Sequence, residues 1–348
     1  MRAVLLPGDK RVTVVDRPVP QPGPGQVLVR TVASAICRSD MSIYYGAPVL
    51  GESRGAEALI IPGHEAAGVV VATGADAGSV RVGDRVAAFL AVAPTTSTFH
   101  DSGLWMLDDE WQCFGFDLDG GDAEFFVVPH QNCLPLPDRV SFKAGAVLTD
   151  MVGTQFSTQK RLGVTSRDTV VVTGLGPMGA AAVLVAKGFG ATVIAVDVLD
   201  SRLAQARALG ADHTLNSSTD DVLAAARALT GGRGPRVVIE CSGNPAAQNT
   251  ALDVAAKLGS VALVGESRET LIRPSEQFLR KLLTVVGGWY FSRNDWEEIV
   301  AFVVDNDVPV EKLISHEFSI EQAEEAFSAF DRRETEKAVF TFPESKDS

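Results

Sequence analysis

Hydrophobic and polar positions follow three different patterns along the 348-residue chain. Over residues 2–35, short apolar runs such as VTVVD and VLVRTVA are broken by Pro- and Gly-rich punctuation, PVPQPGPGQ, with no helical period. That combination reads as strands joined by turns. It continues through VVVATG (69–74) and VGDRV (82–86), so roughly the first hundred residues predict a partly open β-barrel without a parallel sheet. Residues 90–121 lose the pattern in a loop-rich excursion containing TTST, HDSG, LDDEW and DLDGG. A strand in DAEFFVVP follows, then a turn and one or two helices in PLPDRVSFKAGAVLTDMVGTQFSTQKRLG. From residue 169 apolar runs alternate with helical periods: strands at 169–173, 192–196, 213–215, 236–240 and 260–264, and helices near 201–209, 221–229 and 246–258. Strands separated by helices in this way predict a doubly wound parallel sheet, reaching to LLTVVGGW. The remainder, residues 294–348, carries helical periods in DWEEIVAFVVD and IEQAEEAFSAF, a strand in KAVFTF, and a tail at 344–348 expected to be disordered.

The stretch at residues 169–197, TVVVTGLGPMGAAAVLVAKGFGATVIAVD, adds chemistry to this pattern. It reads as strand, Gly174-x-Gly176-x-x-Gly179, helix, strand and acid. Gly174 makes a tight turn, Gly176 lets backbone N–H groups approach a pyrophosphate, and Gly179 lets helix and strand pack closely. Asp197 closes the second strand, where a carboxylate accepts hydrogen bonds from an adenosine ribose. Such an acid repels a 2′-phosphate, and Val198-Leu199-Asp200 offers no compensating base, so NAD is expected in preference to NADP. Arg202 is a candidate to flank the adenosine; either charge could instead be ordinary helix surface.

Composition narrows the classes. With 46% hydrophobic and 22% charged residues the chain matches an ordinary globular protein of two domains. A formal net charge of −13 argues against unaided nucleic-acid or anionic-membrane binding. No apolar segment has the length of a secretory signal or a membrane span, and the expected location is the cytoplasm. Cys37, Cys113, Cys133 and Cys241 form no CxxC pair, so no disulfide framework is expected.

CRSD at 37–40, PGHEAAGVVVATG at 62–74, VGDRV at 82–86, GLGPMG at 174–179 and Asp197, in this order and spacing, resemble the zinc-containing medium-chain dehydrogenases: the alcohol, polyol and threonine dehydrogenases. The resemblance covers nearly the whole chain. It implies an α/β protein with a GroES-like, partly open β-barrel catalytic domain at residues 1–153, completed by 291–348, and a Rossmann doubly wound parallel-sheet domain at 154–290. A catalytic zinc commonly takes three protein ligands and keeps one position open. Cys37 and His64 match the family's first two ligands, and Asp150 sits where the family places a Cys, Glu or Asp. Glu65 is implied either as a transient zinc ligand or as a carboxylate beside the ligands. Asp40 is expected to accept the other ring N–H of His64. Ser39 resembles the hydroxyl that takes the alcohol proton and passes it outward. Many relatives carry a histidine where this chain has Ser42, which leaves the outer proton path open. Arg38 resembles an arginine that reaches the cofactor pyrophosphate, with a solvated surface role as the alternative.

The resemblance also implies that Pro177, Met178, Ser242 and Val264 contact the dinucleotide, and that Tyr44, Tyr45 and Trp289 are candidate pocket walls. Many relatives hold four cysteines for a structural zinc in the lobe after GDRV, whereas residues 90–125 contain only Cys113. One catalytic zinc and no structural zinc are therefore expected. The lobe's aromatics, Trp105, Trp111, Phe114 and Phe116, are expected to pack the lobe or to line a pocket or interface. The implied activity is reversible oxidation of a secondary alcohol to a ketone with hydride transfer to NAD, in a homodimer or homotetramer whose partner is a small alcohol or ketone. A zinc-free quinone or enoyl reductase of the same superfamily, or a nucleotide-binding protein without catalysis, are the alternatives.

Overall fold

A computed structural model describes residues 1–46 and 59–343; the tail expected at 344–348 lies outside the described residues. The described residues divide into two compact units, one drawn from Met1–Asp150, Ser292–Val300 and Leu313–Ser348, the other from Met151–Phe291 and Ala301–Lys312. Among the described residues no helix is long and apolar enough to cross a membrane.

The first unit is built on antiparallel strands. β1 (Arg2–Gly8) pairs with β2 (Arg11–Asp16). β3 (Gln26–Ala35) lies between β4 (Glu65–Thr73) on one edge and later strands on the other, and β5 (Arg85–Ala88) extends the sheet from β4. β6 (Ala91–Val92) and β7 (Gln112–Cys113) form a short ladder at the two ends of the loop-rich excursion. β8 (Phe125–Pro129) adds to β3, and β9 (Cys133–Pro135) adds to β5. Inward residues Val27, Val29, Val70, Val86, Phe126 and Val128 make the barrel core, which is the two-residue alternation of the sequence turned into a buried face.

The excursion is held by packing. Trp105 is buried, stacks on the His100 ring at 5.2 Å and meets Phe89 edge-on at 5.5 Å. Phe114 joins the barrel core. In α1 (Met41–Tyr45), Tyr44 shares the buried face with Met41 and stacks on Phe327 at 5.9 Å. Tyr45 donates its hydroxyl to Asp331 Oδ1 at 2.5 Å. A helix of five residues shows too little period to reveal which face it buries.

α2 (Phe142–Val147), capped by Ser141 Oγ, which accepts the Ala144 N–H, closes the barrel's end, and α3 (Gly153–Arg161) opens the second unit. Its sheet follows from six apolar runs: β10 (Thr169–Thr173), β11 (Thr192–Asp197), β12 (His213–Asn216), β13 (Val237–Glu240), β14 (Ser260–Leu263) and β15 (Thr284–Gly287). All are parallel, in the order β12-β11-β10-β13-β14-β15. The crossovers are α4 (Pro177–Gly188), α5 (Asp200–Ala208), α6 (Val222–Leu229) and α7 (Pro245–Val254). β10 and β13 are buried on both faces along nearly their whole length, which is why they read as continuous apolar runs rather than alternations. The strand order reverses direction between β10 and β13, the place where open parallel sheets leave a crevice for ligands. α7 stops at Val254, short of the expected 258, because Lys281 Nζ donates to the carbonyls of Leu252, Asp253 and Ala255 at 2.7, 2.6 and 2.9 Å and ends the helix there.

The C-terminal helical periods become α8 (Trp296–Asp305) and α9 (Ala323–Asp331). β16 (Ile314–Phe318) runs parallel to β17 (Lys337–Thr341), and β17 pairs antiparallel with β3, Val339 opposite Ala35. The last strand of the chain is thus built into the first sheet, beside the end of β3.

Candidate metal centre and nucleotide loop

Cys37 follows the end of β3, in a tight turn that leads into α1. The turn residue Asp40 occupies the N-cap of α1 yet makes no side-chain cap. Its carboxylate is used elsewhere: Oδ2 accepts the Cys37 N–H at 2.8 Å, and Oδ1 lies 3.1 Å from His64 Nδ1. A carboxylate only accepts, so Nδ1 carries the ring proton and Nε2 is left as the basic nitrogen. His64 reaches this position because Gly63 turns the chain at φ +96; a Cβ there would stand 2.4 Å from Asp122 Oδ1. Glu65 opens β4. Asp150 comes from a single π-helical turn, Leu148–Val152, between α2 and α3, the kind of local widening that aims a side chain at a functional site.

These elements bring Cys37, His64, Glu65 and Asp150 together, with one ligand atom from each within 4.8 Å of the others. The Cys37 thiol donates to Asp150 Oδ2 at 3.2 Å, and His64 Nε2 lies 3.9 Å from the same oxygen and 4.0 Å from Glu65 Oε1. Ser39 Oγ stands 3.5 Å from His64 Nε2. Ser42 Oγ donates to the Ser39 backbone carbonyl at 2.8 Å. The Phe116 ring lies against the imidazole at 5.3 Å between ring centres, tilted by 45°.

Phe116, one of the lobe aromatics expected to pack the lobe or line a pocket, lies beside His64, whereas one further site residue, Lys337, carries no local sequence signal and opens β17 near the far end of the chain. Lys337 is buried and its Nζ donates to Glu65 Oε1; Glu65 Oε2 is buried with no hydrogen-bond partner among the described residues. The charges are strongly coupled. Burial pushes the Glu65 carboxyl up to about 8 against the pull of Lys337. Burial also raises the Cys37 thiol, helped by the Asp150 charge. It opposes ionisation of Asp150 too, but His64 outweighs it and holds that carboxyl well below the usual range. Desolvation penalises the Lys337 ammonium, yet Glu65, Cys37 and Asp150 keep it above the ordinary lysine value. A thiol, an imidazole and two carboxylates converging in a buried pocket form the borderline donor set that suits a divalent zinc-like cation, and the unpartnered Glu65 oxygen shows that protein groups alone do not satisfy it.

In the second unit, Gly174 ends β10 at φ +80, Gly176 caps α4 and Pro177 is its first residue, followed by Met178. Gly179 packs so tightly that a Cβ would lie 1.9 Å from the Gly174 carbonyl oxygen. At Gly176 an added Cβ meets only the Arg202 guanidinium, at 3.9 Å, leaving the helix N-terminus open. Asp197 Oδ1 accepts the N–H groups of Val198 and Leu199 at 2.8 and 3.0 Å, and Oδ2 accepts that of Leu175 at 2.7 Å, tying the acid to the glycine loop. Arg202 lies 3.7 Å from the same carboxylate. Ser242 follows β13, with its N–H 2.7 Å from Glu240 Oε1, and Val264 follows β14, so both stand at the C-terminal strand ends. Arg38 is exposed in its turn, beside Tyr45 and Asp331, and Trp289 is exposed next to Tyr290.

The same architecture recurs in known proteins. Residues 23–138 match the alcohol dehydrogenase GroES-like domain and residues 177–305 the zinc-binding dehydrogenase family. An uncharacterized zinc-type alcohol dehydrogenase-like protein of Escherichia coli is 32% identical, covering 99% of this chain and 99% of its own. Sorbitol dehydrogenase of Gallus gallus is 31% identical over 95% of this chain and 93% of its own. Among solved structures, an alcohol dehydrogenase from Escherichia coli CFT073 complexed with NADH superposes with a TM-score of 0.88 at 28% identity, covering 98% of this chain and 99% of that one. The chain belongs to the zinc-type alcohol dehydrogenase family and is an oxidoreductase.

Proposed function

We propose that the protein is a zinc- and NAD-dependent dehydrogenase that reversibly oxidises a secondary alcohol, of the polyol or sugar-derived class, to a ketone with hydride transfer to NAD. The observation that carries this reading is the convergence of Cys37, His64 and Asp150, with Glu65 beside them, inside one buried pocket of the first unit. Cys37, His64 and Asp150 are the residues that would hold the metal. Bound zinc supplies a Lewis acid that makes removal of an alcohol proton accessible near neutral pH. Asp40 fixes the His64 ring through Nδ1 and so keeps Nε2 as the coordinating nitrogen. Ser39 Oγ, 3.5 Å from His64 Nε2, takes the alcohol proton and passes it outward, with cofactor ribose hydroxyls or water to complete the path. Phe116 keeps water from that face of the imidazole.

The second unit is the nucleotide domain in this reading. The open N-terminus of α4 at Gly176 receives the pyrophosphate, and Asp197 with Arg202 receives the adenosine ribose. Pro177 and Met178 in the first turn of α4, with Ser242 and Val264 just beyond the ends of β13 and β14, complete the dinucleotide contacts, and Arg38 is assigned to the pyrophosphate. Sorbitol dehydrogenase among the relatives supports a polyol substrate, and NADH in the structural neighbour supports the cofactor. Assembly into a homodimer or homotetramer, which the family resemblance implies, belongs to the same reading. Screening NAD+ and NADP+ reduction over primary alcohols, secondary alcohols and polyols tests the assignment. Turnover of a polyol or secondary alcohol with at least about tenfold preference for NAD+ is expected. A preference for NADP+, or turnover of primary alcohols alone, contradicts it.

A further inference from the structure

We propose that Glu240 is a positioning residue of the nucleotide domain: it folds the loop after β13 and leaves the Ser242 hydroxyl as an acceptor for a ribose hydroxyl of the dinucleotide. The inference rests on the nucleotide-domain reading above and concerns a residue outside the set assigned to the cofactor. Glu240 ends β13, the strand that borders the crevice with β10, and is fully buried. Its Oε1 accepts the Ser242 N–H at 2.7 Å and the Ser242 hydroxyl, and its Oε2 accepts the Gly243 N–H at 3.2 Å. A carboxylate taken out of water is costly unless donors surround it, so this one is a poor device for stability alone. What it provides is loop shape. It draws the two residues after Cys241 back onto the strand end, with Gly243 at φ +68.

The folded loop is wedged between its neighbours. A Cβ at Gly174, in the loop after β10, would stand 2.5 Å from Ser242 Cβ, and one at Gly265, in the loop after β14, 2.1 Å from the Gly243 nitrogen. Any other course of residues 241–243 displaces the glycine loop on one side or the turn after Val264 on the other. The same bonds fix the sense of the Ser242 hydroxyl, which has one proton and two lone pairs. The proton goes to Glu240, because an ionised carboxylate only accepts, and one lone pair takes the Asn244 N–H at 3.1 Å. One lone pair is left, so this hydroxyl meets a dinucleotide as an acceptor. Phosphate oxygens have no proton to offer near neutral pH, and the Glu240 charge repels them. Ser242 lies against Gly174 of the pyrophosphate loop, and the donors that adjoin a pyrophosphate are the ribose hydroxyls.

The test is NADH fluorescence titration of the full-length protein. Glu240→Gln keeps the size of the side chain but leaves one oxygen for three donors. It is expected to weaken NADH binding at least about tenfold, the scale of one lost hydrogen bond to a charged group. Ser242→Ala is expected to weaken it about fivefold, and the double variant to bind within about twofold of Glu240→Gln, because both changes remove one oriented acceptor. NADH analogues lacking one ribose hydroxyl at a time identify the partner. Wild type is expected to bind one of them at least about fivefold more weakly than NADH, whereas Ser242→Ala and Glu240→Gln bind that analogue and NADH alike. The comparison of wild type with Ser242→Ala stands whether or not Glu240→Gln folds. Wild-type NADH affinity in Glu240→Gln, additive losses in the double variant, equal binding of every analogue by wild type, or discrimination that survives in Ser242→Ala overturns the proposal. Failure of wild type to bind NADH, or normal affinity in Gly179→Ala, overturns the nucleotide-domain reading instead.

Discussion

Cys37→Ser is expected to yield a folded protein that retains little zinc and has lost about three orders of magnitude or more in kcat/KM, since removing a Lewis acid forfeits several kcal/mol of transition-state stabilisation. Cys37 is the one sulfur donor in the pocket. A serine hydroxyl in its place stays protonated near neutral pH and is a poor ligand for a borderline cation, leaving His64 and Asp150 to hold the metal. The change removes no large buried side chain and keeps the Cys37 N–H that Asp40 uses, so the thermal transition should stay near that of wild type. Metal analysis beside steady-state kinetics reads both effects. Full zinc content with full activity would remove Cys37 from the site.

Gly179→Ala is expected to weaken NADH binding by about 100-fold, corresponding to roughly 3 kcal/mol of forced displacement at the upper end of what overpacking costs. The new methyl would lie 1.9 Å from the Gly174 carbonyl oxygen, and neither partner is a flexible side-chain end. α4 must shift away from β10, and its first-turn N–H groups shift with it. The metal pocket belongs to the other compact unit and contains no residue of this loop, so zinc content should be unchanged. NADH fluorescence titration and metal analysis on the same preparation separate these outcomes; normal NADH affinity would show that the loop does not hold the dinucleotide.

Much of this was legible in the chain because the relevant signals are local. The parallel sheet announces itself through runs such as VVVT and VIAV, which are buried on both faces, and through the glycine spacing that follows β10. Cys37, Ser39 and Asp40 lie within one turn, and His64 and Glu65 are adjacent, so two short motifs carry most of the pocket. Asp150 was approachable only through its place in a family order, since the π-helical turn that aims it has no sequence signature. Lys337 was not legible at all. Its neighbours read as an ordinary terminal strand, and only the pairing of β17 with β3, about 300 residues away in sequence, carries the ammonium into the pocket. The contacts that hold Tyr44 and Tyr45, to Phe327 and Asp331, come from α9 and were equally invisible in the local sequence.

Hydride transfer is predicted to require a metal in the pocket of Cys37, His64 and Asp150. The most direct measurement is NAD+ reduction on a polyol by protein dialysed against a chelator and then titrated with zinc. Activity is predicted to vanish with the metal and to return in proportion to zinc added, saturating at one per chain, as the single donor cluster among the described residues requires. Metal-free protein with undiminished turnover would contradict the account.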